Sequence, residues 1–211
     1  MVKIENIRPG DIEAESFRII GELLGDRKLD PRYEHIIKRC IHTSADFDYA
    51  DSLYFSEDAE ERIARGIREG AVIVTDTKMA QAGINKAGIA KYGGQVLCYI
   101  GDSDVAEEAK SRGLTRSYVS MEKAARLGRP VIFAIGNAPT ALMAICDLAE
   151  AGQLDPVAVI GVPVGFVNVE ASKERLIRSG IPCIVARGRK GGSNIAACIV
   201  NAIQYSFEEE F

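Results

Sequence analysis

Apolar residues along the chain keep two different periods, and the change falls near residue 56. Before that point they recur three and four residues apart, as on amphipathic helices. Asp11 is placed to cap the first helix, whose stripe is Ile12, Phe17, Ile20, Leu23 and Leu24 and which Gly25 ends. Asp30 and Pro31 supply the cap and first-turn proline of a second, with Tyr33, Ile36, Ile37, Cys40 and Ile41 on its buried side. Residues 43–55 show no clean period and read as a loop or as a strand packing elsewhere. A helix capped by Ser56 is expected through Glu69. After it, continuous apolar runs of strand length alternate with helical stretches.

The strands are expected at residues 71–75, 95–100, 131–135, 157–161 and 183–187, with intervening helical segments ending in Gly113, Gly128, Gly152 and Gly180. A last helix covers residues 193–205, and the tail from Phe207 to Phe211 reads as frayed surface. Runs without polar alternation suit strands buried on both faces, and strand–helix alternation implies parallel crossovers. The expected fold is therefore α/β: a doubly wound, Rossmann-like, mainly parallel sheet of about five strands with helices on both faces, preceded by an N-terminal helical segment. One domain is expected over residues 1–211, with the N-terminal helices in residues 1–55 and the alternating units in 56–211.

Composition narrows the class. With 211 residues, 47% of them hydrophobic and 27% charged, the chain has the balance of a globular protein with a sizeable core. A net charge of −4 argues against a general nucleic-acid binder while leaving room for a local cationic pocket. The five cysteines, at 40, 98, 146, 183 and 198, are odd in number and widely spaced, so neither a disulfide framework nor a metal site is expected. Mostly set in apolar runs, they read as small core hydrophobes and imply a reducing compartment. The start Met-Val-Lys-Ile-Glu-Asn lacks a basic region followed by an apolar stretch, and no apolar run approaches the ~20 residues of a membrane span. A soluble, cytoplasmic protein with no membrane partner is expected.

Candidate chemistry lies first on the second helix, which turns His35, Lys38, Arg39 and His42 away from its apolar stripe. Arg39 and His42 stand three residues apart on one face, a fixed charge beside a proton carrier. Ser16 sits at the edge of the first helix's packed face. In open α/β sheets the ligand lies beyond the carboxyl ends of the strands. The loops expected there cover residues 75–79, 101–104, 136–140, 161–166 and 187–193. The last combines Arg187, Arg189 and Lys190 with the backbone N–H groups of Gly191 and Gly192 before a helix opening at Ser193, which suits a carboxylate or phosphate. The Gly136-Asn137-Ala138-Pro139-Thr140 turn adds Asn137 and Thr140 as polar groups. Lys190 precedes the glycine pair instead of following it, and no Gly-x-Gly-x-x-Gly follows any strand, so nucleotide cofactors lack their usual signatures.

With these blocks in view, the sequence resembles the precorrin-8X methylmutase family of cobalamin biosynthesis. The likeness runs from Ser16-Phe17 through Arg39-Cys40-Ile41-His42 to the blocks at 136–142, 161–167 and 187–193. It implies an isomerase that moves a methyl group from carbon 11 to carbon 12 of ring C by a 1,5-sigmatropic shift. The product is hydrogenobyrinate from precorrin-8X or cobyrinate from cobalt-precorrin-8, and no methyl donor or cofactor is needed. His42 matches the family's proton donor or acceptor, and Ser16 and Arg39 match its substrate-binding positions. The resemblance also implies a homodimer with active sites near the interface. The acetate and propionate arms of the macrocycle give Arg39, Arg187, Arg189 and Lys190 a shared purpose. The competing reading is a noncatalytic carrier of an anionic tetrapyrrole; a nucleotide-dependent transferase is more distant.

Overall fold

The structure is a computed structural model that describes residues 8–208. A 3-10 turn over Pro9–Asp11 leads into α1 (Ile12–Leu24), followed by α2 (Glu34–Ser44), α3 (Tyr49–Ser52) and β1 (Leu53–Phe55). The alternating part runs α4 (Ala59–Arg68), β2 (Val72–Thr75), α5 (Lys78–Gly83), α6 (Lys86–Lys91), β3 (Gln95–Leu97), α7 (Ser103–Arg112) and α8 (Arg116–Ala125). It continues with β4 (Val131–Ile135), α9 (Pro139–Glu150), β5 (Ala158–Gly161), α10 (Val169–Arg178), β6 (Cys183–Ala186) and α11 (Ser193–Tyr205).

Among the described residues the sheet has six strands, not about five, in the order β1-β6-β5-β4-β2-β3. The sixth is β1, from the stretch left open as loop or strand: it pairs antiparallel with β6, Tyr54 opposite Val185, and forms one edge. All other pairings are parallel. Taken alone, the parallel strands in chain order lie 2-1-3-4-5. That is the flavodoxin-like winding, not the Rossmann order, and its switch point falls between β2 and β4.

Every residue of β2, β4, β5 and β6 is buried, and alternate residues feed opposite cores. Ile73, Ile132, Ile160 and Ile184 join α1, α2, α4 and α11 on one face. Val74, Phe133, Val159 and Val185 meet α8, α9 and α10 on the other. α11 is apolar on nearly all sides because it lies beneath α2, α4 and α5, and its Asn201 spends its amide on Gly83 O and the Asn85 N–H.

Several element starts differ from expectation for local reasons. Asp30 organises a turn, accepting the Arg32 N–H on its side chain and the Tyr33 N–H on its carbonyl, so α2 begins only at Glu34. The Ser56 hydroxyl accepts the Cys183 N–H and thereby fixes the sheet edge, leaving the left-handed Asp58 to start α4. Phe207 is buried, edge-on to Tyr92 and under the Arg68 guanidinium; residues 209–211 of the expected frayed tail lie outside the described residues.

Candidate active site

The carboxyl ends of the parallel strands form a rim around the start of α11. At the switch point Asp76, directly after β2 and 1% exposed, accepts N–H bonds from Gly136 (3.0 Å), Asn137 (2.8 Å) and Ala138 (2.6 Å). Three successive N–H groups make an anion nest of the kind that holds phosphate in other doubly wound proteins. Here an internal carboxylate fills it. Burial pushes the Asp76 carboxyl above its ordinary range while the three N–H donors oppose that shift. Beside it the Thr77 and Ser193 hydroxyls lie 2.7 Å apart, and a Cβ on Gly136 would come within 2.6 Å of Gly192 O.

The loop from Arg187 to Ser193 is held from below and from the side. Lys173 of α10 is fully buried, and its Nζ donates to the carbonyls of Gly188 and Lys190 at 2.8 Å each. Burial lowers its pKa to about 8, and a neutral amine still has enough N–H groups for both carbonyls. Gly192 N–H donates to Val162 O (2.9 Å), and Gly165 N–H to Arg189 O (3.1 Å), so this loop is bonded to the one after β5 at two points. Gly191 is indispensable at φ 156°, since a Cβ there would stand 2.1 Å from Val162 O.

The cations of this loop do not stand free as the sequence suggests. Lys190 reaches Asp46 and Asp48 at 2.6 Å each, Arg189 reaches Glu170 at 3.2 Å, and Arg187 reaches Glu174 at 3.3 Å. The two aspartates hold the Lys190 ammonium well above the usual lysine range. Nor is every backbone donor of the glycine pair available, because the Gly192 N–H is taken by Val162.

A second group of residues lies on α1 and α2 along the flank of α11, reaching from Cys198 near its middle to Tyr205 at its C-terminal end. Phe17 of α1 places its ring 5.3 Å from the His42 imidazole, and the Arg39 guanidinium lies 4.8 Å over the same ring. Arg39 also pairs with Glu13 and lies 5.6 Å from the Tyr205 ring. It lines a cleft of about 500 Å³ with Phe17, His35, Lys38 and Tyr205. His42 is exposed near the C-terminus of α2, and Thr43 Oγ1 donates to Cys198 Sγ of α11 at 3.2 Å. Left-handed Ala45 ends α2 and sends Asp46 to Lys190, which joins the helix of His42 to the glycine-rich rim. Ser16, next to Phe17, donates its hydroxyl to Ile12 O (2.8 Å).

Of the residues singled out from the sequence, Arg39 and His42 thus meet at Phe17, with Ser16 beside it in the chain, while Lys190, Gly191, Gly192 and Ser193 line the rim to which Asp46 connects them. Asn137 is exposed at the switch-point mouth. Two others face elsewhere: Thr140 shares a 2.8 Å hydrogen bond with Thr115 between α8 and α9, and Arg187 lies 5.0 Å over the Tyr54 ring at the sheet edge. Sequence reasoning missed Phe17 as the contact shared by His42 and Arg39, having counted it as core. It also missed Asp76 and Lys173. Lys173 left a signal, a lysine in register with buried Val169 and Leu176 on α10.

The winding, the anion nest closed by Asp76, and an imidazole and a guanidinium set against one ring define a doubly wound α/β protein whose candidate site carries a proton carrier and several ion-paired cations. Comparison with known proteins narrows this further. Residues 11–206 match the model of the precorrin-8X methylmutase family, and the chain belongs to that family of isomerases. It is 45% identical over 208 residues to the cobalt-precorrin-8 methylmutase of Salmonella typhimurium strain LT2, covering 96% of this chain and 97% of that one. It is 34% identical over 203 residues to the precorrin-8X methylmutase of Pseudomonas aeruginosa, covering 95% and 97%. The crystal structure of precorrin-8x methylmutase from Thermus thermophilus superposes with a TM-score of 0.86 at 32% identity, covering 95% of this chain and 98% of the other.

Proposed function

We propose that this chain converts cobalt-precorrin-8 to cobyrinate by a 1,5-sigmatropic methyl shift from carbon 11 to carbon 12 of ring C. The observation that carries the reading is the exposed His42 imidazole, set with Arg39 against one Phe17 ring and tied through Asp46 to the Lys190 loop. The migrating methyl leaves one ring carbon and joins its neighbour within one molecule, so no donor is consumed. What the protein must add is a fixed pose and a proton placed to bias the conjugated system as the bond moves. In this reading His42 is the proton carrier. Arg39, Arg189 and Lys190, with the Gly191 N–H and the Ser16, Asn137 and Ser193 side chains, receive the carboxylate arms and ring substituents. Arg187 and Thr140 act through the elements they hold. Exposed ion pairs such as Arg189–Glu170 are weak in water, so a substrate carboxylate exchanges readily for the internal one.

The cobalt-bearing substrate is favoured because relatives at 45% identity, from Salmonella typhimurium and Priestia megaterium, are both cobalt-precorrin-8 methylmutases. The metal belongs to the substrate. We further propose that residues 1–211 work as one domain and that the chain is a homodimer. Ile12, Ile19 and Leu23 of α1 are 52%, 41% and 67% exposed and share one helix face, an apolar strip that a second copy would cover. A cytoplasmic setting accords with five buried, unpaired thiols. No helix among the described residues is long and apolar enough to cross a membrane.

The test is a visible spectrum of the protein incubated separately with precorrin-8X and cobalt-precorrin-8. Conversion of the cobalt form to the corrin chromophore is expected, with His42→Ala retaining corrin binding but losing most turnover. Full turnover by that variant would remove His42 from the chemistry, and spectral binding without conversion by wild type would favour a carrier.

A further inference from the structure

The loop after β5, residues 162–168, is not assigned a task by the chemistry above, yet its tip is the most exposed apolar feature among the described residues. Phe166 is 84% exposed, and Val164 and Val167 are 46% and 78% exposed. The tip is nonetheless rigidly built. Gly165 at φ 146° donates its N–H to Arg189 O, left-handed Asn168 turns the chain at the far side, and buried Val169 anchors the start of α10. An exposed ring on a fixed backbone is ready to receive a partner without reordering.

We infer that Phe166 is a stacking platform for the flat face of the tetrapyrrole, presented together with Arg189 so that one loop pair takes both the ring face and a carboxylate arm. This rests on the substrate class proposed above. Three observations point to that occupant. The tip lies at the carboxyl end of the parallel sheet, where ligands of this winding bind. Its ring is 5.9 Å from the Arg189 guanidinium, whose backbone carbonyl is bonded to the adjacent Gly165. Lys190 follows on the same loop, and both cations are held by partly or largely exposed carboxylates, Glu170 for Arg189 and Asp46 with Asp48 for Lys190, which a substrate carboxylate can replace. An apolar ring beside exchangeable ion pairs matches a conjugated macrocycle edged with carboxylates.

Titration with the corrin product by visible absorbance tests the inference, using wild type, Phe166→Ala and Phe166→Trp with the oligomeric state followed by sedimentation. Loss of the ring is expected to weaken corrin binding roughly tenfold or more, from lost area and lost aromatic contact. Phe166→Trp is expected to stay within about threefold of wild type. The chain has no tryptophan of its own, so the fluorescence of that variant reports the site alone and should shift to the blue and dim as corrin binds. Equal corrin affinity in wild type and Phe166→Ala overturns the stacking and leaves the proposed function standing. A fall in self-association with affinity unchanged also overturns it and gives the tip to a second copy. If wild type binds no corrin, both readings fall.

Discussion

Replacing Lys173 by Met keeps a chain of similar length in a fully buried position and removes the amine that holds Gly188 O and Lys190 O. Two effects oppose each other. Two partly buried carbonyls lose their donor, at about 1–3 kcal/mol each. Against that, a buried amine whose pKa falls from 10.5 to about 8 carries a penalty in its charged form of about 3 kcal/mol at neutral pH, which the Met variant escapes. The net expectation at pH 7 is a small change, between a gain of about 1 kcal/mol and a loss of about 3 kcal/mol for the variant. The pH dependence is sharper. Between the folded pKa near 8 and the unfolded 10.5 the unfolded wild type binds the extra proton, so wild-type stability rises with pH across that window. The variant has no such group, and the gap should widen by about 2–3 kcal/mol between pH 7 and pH 10. Urea unfolding followed by circular dichroism under reducing conditions measures it, and tyrosine titration cancels in the difference. A gap that stays constant or narrows over that range refutes the reasoning. The Gly192 amide, bonded to Val162 O, should exchange its hydrogen faster in the variant, since the loop has lost its support from below.

Asp76→Ala leaves three N–H groups at the switch point without an acceptor and should cost about 3 kcal/mol or more, partly restored by formate or acetate entering the nest; unaltered thermal stability would deny the carboxylate its role. Arg39→Ala should weaken corrin binding by about 1.5–3 kcal/mol in an absorbance titration, and unaltered affinity would place Arg39 outside the site. Paired charges at Ile19 and Leu23, as Ile19→Glu with Leu23→Glu, should give monomers in sedimentation while the isolated fold melts normally; a persistent dimer would move the interface away from α1.

Most of the parallel core was legible because β2, β4, β5 and β6 are short apolar runs without polar alternation, and such runs between glycine-ended helices admit little but an α/β sheet. α11 was read at its observed limits, since a glycine pair and a serine open it and its apolar residues continue unbroken. β1 was not legible: three half-buried residues owe their conformation to β6, a partner 130 residues away. The strand order was equally hidden, because crossover length does not say on which side of β2 the chain places β4. Within the site, the pairing of Arg39 with His42 followed from helical spacing. Their common contact with Phe17 depends on how α1 crosses α2, and the neutralised cations on acids drawn from α2's exit and from α10. Local pattern reports which residues share a face; only the packed chain reports which charges are already answered.

The carboxylate of Asp76 bears on the thermodynamics of recognition. By bonding the first N–H groups of the loop after β4 to the end of β2, it imposes the order on that loop during folding that a bound phosphate imposes elsewhere during association. Little backbone entropy then remains to be lost when a large ligand arrives at the rim. Association should therefore show a heat capacity change set by the apolar area covered, with no contribution from loop folding, a signature readable by calorimetry at two or three temperatures.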